Sequence, residues 1–202
     1  MKFRNGFVLL GLALVISPAF ASDAYSNFGP GNSFGTYNAW IVGPWTPAFQ
    51  FQSNTTGSLT GFTVAMSDYY DYNPDNFTLK LYSDPSGNPS TEGTLLGSWT
   101  GTTDGTQWYS ATTPVTVAAS GVTLQAGSYY WLEATTTGGL TWNFNNTGAQ
   151  NPMMENGSAY GPYGMNNGAF SVQAQAVPEP SSFAAMAGVL GVGIAFRKRK
   201  RA

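Results

Sequence analysis

The chain contains no cysteine and no histidine among its 202 residues. Without cysteine there are no disulfide staples and no thiol nucleophile. Without histidine there is no imidazole base for a catalytic triad, and the two absences together remove the usual zinc sites. No phosphate-binding loop or dinucleotide fingerprint occurs either; Gly29-Pro30-Gly31 lies outside any strand-to-helix context. Positive charge is nearly missing from the middle of the chain. Of eight basic residues, Lys2 and Arg4 stand near the start, five stand between Arg197 and Arg201, and only Lys80 lies between. Of ten acids, all but Glu179 fall between Ser22 and Ala176. A segment so short of cations repels phosphate backbones, so nucleic acid is not an expected partner.

What is present starts with a sorting pattern. Lys2 and Arg4 precede an apolar run from Phe7 to Ile16, then Pro18 and Ala19-Phe20-Ala21. A basic start, a short apolar core and the small residues Ala19 and Ala21 make a secretory signal peptide for the Sec machinery, with cleavage after Ala21. The apolar run is too short for an expected membrane span. The opposite terminus reads Val177-Pro178-Glu179-Pro180-Ser181-Ser182, an apolar run from Phe183 to Phe196, and Arg197-Lys198-Arg199-Lys200-Arg201-Ala202. Proline breaks the chain, a serine can cap a helix, and a basic cluster stops it. Residues 181–196 would rise roughly 24 Å as a helix, a little short of a hydrocarbon core about 30 Å thick. Snorkelling by Arg197 and Lys198 narrows that gap. Basic residues stay cytoplasmic, which leaves the acidic domain outside.

This terminus resembles the PEP-CTERM sorting signal of Gram-negative bacteria in its Pro-Glu-Pro motif, apolar helix and basic end. The same tail is also labelled an ice-binding protein C-terminal domain, but it occurs on unrelated domains and implies nothing about ice. The resemblance implies recognition in the inner membrane by an exosortase, with Pro178, Glu179 and Pro180 as the recognition element. It also implies processing near that motif and release or re-anchoring at the outer surface. The other reading is a plain membrane anchor with a Pro-Glu-Pro linker.

Three units result: a signal peptide over 1–21, a domain over 22–176 and a tail over 177–202. The domain is long enough for one packed core. Short apolar-polar runs span Ala48–Gln52, Leu59–Met66, Phe77–Ser83, Thr94–Trp99, Val115–Ala118, Ser128–Ala134, Leu140–Phe144 and Ala169–Ala174. Turn residues such as Asp84-Pro85-Ser86-Gly87 and Ala126-Gly127 separate them. The pattern predicts an all-β, antiparallel β-sandwich of jelly-roll type, flanked by a signal helix and a transmembrane helix. Ser22–Pro47 reads as an irregular lead-in strand and Asn145–Gly168 as a long loop. Leu79-Lys80-Leu81-Tyr82-Ser83-Asp84-Pro85-Ser86-Gly87 and Leu124-Gln125-Ala126-Gly127-Ser128-Tyr129-Tyr130-Trp131-Leu132, with Phe62–Met66 and Leu95-Leu96-Gly97, resemble the choice-of-anchor R domain. That resemblance speaks to fold and brings no chemistry with it.

Two features carry candidate chemistry. Asp68-Tyr69-Tyr70-Asp71-Tyr72-Asn73-Pro74-Asp75 is the densest acidic stretch. Loop carboxylates suit Ca²⁺, with Asp68, Asp71 and Asp75 as oxygen donors, although the spacing matches no EF-hand; the alternative is a solvated acidic loop. Among the carboxylates, Glu133 lies in an aromatic strand and is the one to inspect for two-carboxylate glycosidase chemistry; the alternative is an outward-facing strand residue. Six tryptophans and the pairs Tyr69-Tyr70 and Tyr129-Tyr130 offer rings that would stack on sugars if exposed, or fill the core if buried. One of Tyr129 and Tyr130 must face outward in an extended strand. Asn156-Gly157-Ser158 matches the N-glycosylation pattern, which an Asn- and Thr-rich chain meets by chance. The resulting expectation is a non-catalytic surface or matrix protein without a resident cofactor, associated with extracellular polysaccharide. A carbohydrate-binding module comes next, and a two-carboxylate glycosidase third.

Overall fold

The computed structural model describes residues 21–69, 72–86, 91–110, 113–160 and 165–176. Ala19, Asp71 and the tail from Val177 onward lie outside this set, and so do the two expected flanking helices. The described residues form an all-β domain: they contain no α-helix, and no helix long and apolar enough to cross a membrane.

The strands, numbered in chain order, fall into three sheets whose strand pairs are all antiparallel. The first runs β1 (Ala21–Ser26), β14 (Phe170–Ala176), β4 (Gly57–Val64), β8 (Val115–Ala118), with β9 (Thr123–Leu124) also on β4. The second runs β13 (Ser158–Tyr160), β12 (Met153–Glu155), β3 (Pro47–Gln52), β10 (Tyr129–Thr136), β6 (Asn76–Asp84), β7 (Leu95–Thr102). The third is β2 (Ala39–Val42), β11 (Leu140–Asn143), β5 (Met66–Asp68).

Each apolar-polar run named above lies on one or two of these strands. In β6 the alternation puts Phe77, Leu79 and Leu81 inside and Lys80 and Tyr82 on the other face. The two larger sheets meet across one core: Phe170 of β14 is 5.8 Å from Phe51 of β3, and Phe62 of β4 is 5.3 Å from Trp99 of β7. With no disulfide available, removal of this apolar surface from water is the main term holding the domain together.

Two expectations need correction. Ser22–Pro47 is not one irregular strand: it holds most of β1, which begins at Ala21, then a 3₁₀ turn at Pro30–Asn32, and β2. Asn145–Gly168 is not simply a loop, because β12 and β13 form a hairpin that extends the second sheet at β3. Its turn is Asn156-Gly157, both with positive φ, the conformation that favours this pair in tight hairpins. The rest of the segment is held by asparagine side chains acting as backbone substitutes. Asn145 Oδ1 accepts from the Ala149 N–H, and Asn167 Nδ2 donates to the Asn151 carbonyl. The asparagine content there is structural.

The topology gives the domain two distinct ends. Ala21 pairs with Gln175, so the chain enters and leaves side by side. The Gln52–Gly57 connection, Asp84 and Tyr129 share this exit end, as the pairings of β4, β3 and β6 with β14 and β10 require. At the far end lie Val64, β5, the start of β6 and the close of β7.

Candidate functional site

The far end carries a cluster of rings, two of them exposed. Tyr69 and Tyr72 come from the segment between β5 and β6, and Trp108 and Tyr109 from the segment after β7. Tyr72 and Tyr109 hydroxyls lie 3.1 Å apart, with the rings 67% and 49% exposed. Trp108 contacts both Tyr109, at 5.9 Å and 79°, and Tyr69, at 6.5 Å. The hydrogen bond with Tyr72 raises the Tyr109 phenol above its ordinary range. Together the rings form an angled aromatic cluster at a loop tip.

The acidic residues of that stretch hold the cluster in place. Thr103 Oγ1 donates to the buried Asp68 carboxylate at 2.9 Å, while the Asp75 N–H donates to the same hydroxyl at 2.9 Å. The Trp108 N–H donates to the Asp68 carbonyl at 3.1 Å. Asp75 directs its carboxylate against Gly138, so close that a Cβ there would collide with it. Thr103 thus joins the Asp68 carboxylate to the Asp75 backbone. Among the described residues no group of three or more His, Cys, Asp or Glu could hold a metal ion. Asp71, the third expected calcium ligand, is outside those residues.

Glu133 lies on the outer face of the six-stranded sheet, where an outward-facing strand residue was the plainer expectation, yet it is only 6% exposed. It accepts from Lys80 Nζ at 2.7 Å, across the β10–β6 register. Glu92 stands beside this pair with one buried carboxyl oxygen that has no hydrogen-bond partner. Burial pushes the Glu92 carboxyl up to about 7; the Glu133 charge adds to the rise and Lys80 opposes it. Tyr82, on the same face, is raised by burial as well. Sequence reasoning found Glu133 and missed Glu92, whose partner residues depend on strand register.

Toward the exit end, a groove of about 420 Å³ is lined by Asp84, Ser86, Gly127, Ser128 and Tyr129, among others. Its carboxylate is already committed: Asp84 accepts from Gln50, from the Trp131 indole N–H at 3.0 Å and from Ser86. Tyr129 is the outward member of its pair and Tyr130 the inward one.

From the last described residue onward, residues 176–200 match the family model of the PEP-CTERM protein-sorting motif. The chain carries a PEP-CTERM sorting signal. That motif marks an exported protein whose processing partner is an exosortase. The match does not reach the region that resembles the choice-of-anchor R domain, and no curated protein matches the chain. In this PEP-CTERM protein the matched segment begins on Ala176, the last residue of β14. The tail therefore leaves from the exit end, and the ring cluster lies at the opposite end.

Glu92 makes stability depend on pH. Its folded value is raised, so the folded domain keeps this proton where the unfolded chain has lost it. Stability from this group is full at acid pH and falls as pH rises through the ordinary carboxylate range to about 7. Glu92→Gln is expected to raise stability at about pH 8 by about 1 kcal/mol, discounted because the side chain is partly exposed, and to leave stability at about pH 4 nearly unchanged. Urea titrations at the two pH values check this; equal effects at both would contradict it.

Proposed function

We propose that this protein is a non-catalytic surface protein that binds extracellular polysaccharide through its far-end ring cluster. The domain, read as a β-sandwich of jelly-roll type, is exported through Sec, held in the inner membrane by its tail, and sorted by an exosortase to the outer surface or the matrix. The observation that carries this reading is polarity: Tyr72, Trp108 and Tyr109 lie at the end of the domain opposite Ala176, where the sorting signal begins.

Charge narrows the ligand. Lys80, the one base between Ser22 and Ala176, is paired with Glu133, so the surface offers an anionic polymer no free cation from that segment. Rings and neutral polar groups suit a neutral polysaccharide, whose sugar faces stack on aromatic rings. The burial of Glu133 and its bond to Lys80 support reading it as structural rather than as a glycosidase carboxylate.

The test is binding of the processed domain to neutral exopolysaccharide from the producing strain. Combined Tyr72→Ala, Trp108→Ala and Tyr109→Ala changes are expected to weaken it by about tenfold or more, with the melting temperature little changed. Undiminished binding by that variant would remove the ring cluster from the reading.

A further inference from the structure

The last three residues of β14 are all paired, the first two of them on both sides. Ala174, Gln175 and Ala176 pair with Leu59, Ser58 and Gly57 of β4, and Ala174 and Gln175 also pair with Ser22 and Ala21 of β1. The fit at Gly57 is close: a Cβ there would come within 2.4 Å of the Gln175 carbonyl oxygen. Only Val177 separates this zipped strand end from Pro178 of the sorting motif.

A peptidase grips its substrate as an extended segment through main-chain hydrogen bonds, and on the N-terminal side of the motif those groups are already spent on neighbouring strands. We propose that the exosortase gains a grip only after Ala174–Ala176 peel away from β1 and β4, so that local opening of this sheet end gates processing of the tail. The inference rests on the exosortase reading and adds a conformational step to it. Opening of a few terminal strand residues is far cheaper than global unfolding, so the gate can operate in the folded protein. Ser22, the first residue after the expected signal cleavage, pairs with Ala174 of β14, so the two termini meet at the same gate.

The test uses the full chain in the producing strain. Ser58 and Gln175 are directly opposed and exposed, and the chain has no cysteine of its own. A Ser58→Cys/Gln175→Cys pair would therefore form a disulfide in the oxidising envelope and lock the strand end. The locked variant is expected to be processed at least about tenfold more slowly, as read by intact mass, with the wild-type rate restored by reductant. A second variant guards against a trivial folding defect. A four-residue Gly/Ser insertion between Ala176 and Val177 should speed processing of the wild type and rescue the locked variant. Processing unaffected by the lock would overturn the gate. A tail retained in the wild type, with or without the exosortase, would instead overturn the sorting reading beneath it.

Discussion

Replacing Phe170 with alanine is expected to cost the domain about 4 kcal/mol, the middle of the range for a buried aromatic ring. The ring is fully buried, and four others surround it: Tyr25 at 4.9 Å, Trp142 at 5.7 Å, Phe51 at 5.8 Å and Phe49 at 6.4 Å. These come from β1, β11 and β3, so one side chain ties together all three sheets. The cost of such a deletion depends on how far the surroundings can collapse into the hole. Here they have little freedom: the Phe170 N–H donates to Asn27 Oδ1, which fixes the backbone, and the Trp142 indole donates to the Ala169 carbonyl, which fixes that ring. For a domain of this size the melting temperature should fall by about 10 °C. Phe170→Leu, which keeps most of the volume, should cost less than about 2 kcal/mol. Equal losses for the two changes, measured by urea titration, would mean that the cavity argument is wrong.

The difference between what could and could not be read in the sequence has the same physical basis as this core. β6 and β10 are legible because each buries alternate apolar side chains on one face. β1 carries little such pattern: of its six residues only Ala24 is buried, so an edge strand looks like a polar lead-in. β12 is three residues long, too short for a period to register, but its turn was readable. Asn156-Gly157 is a hairpin signal, but the strands on either side of it are only three residues each. Asp68 was visible as one of a group of acids, whereas its use as the acceptor for Thr103 was not, since that contact joins residues 35 apart. The ring cluster was half visible. Composition showed many rings, but only the fold decides that Tyr72 and Tyr109 face water while Trp142 fills the core.

Lys80→Met is the second change expected to have a large effect, and its interest is electrostatic. Lys80 is the one base between Ser22 and Ala176, and the fold places it where Glu133 and Glu92 meet. The Glu133 side chain is 8% exposed and that of Lys80 32% exposed, so the pair is buried on the acid side and half open on the other. Removing one partner of a buried pair costs about 3–5 kcal/mol, because an uncompensated charge stays behind. With a third of the Lys80 side chain in water, about 2 kcal/mol at neutral pH is the expected loss. Lys80 also holds Glu92 down, so its removal should drive that carboxyl further up and steepen the fall of stability between about pH 5 and about pH 8. The added change Glu133→Gln should recover most of the loss, since no buried charge then remains unpaired. A double-mutant cycle run at both pH values separates this account from simple loss of packing by the lysine stem. If Lys80→Met costs as much in the Glu133→Gln background as in the wild type, the charge plays no part and Lys80 acts only as an apolar cover over the sheet.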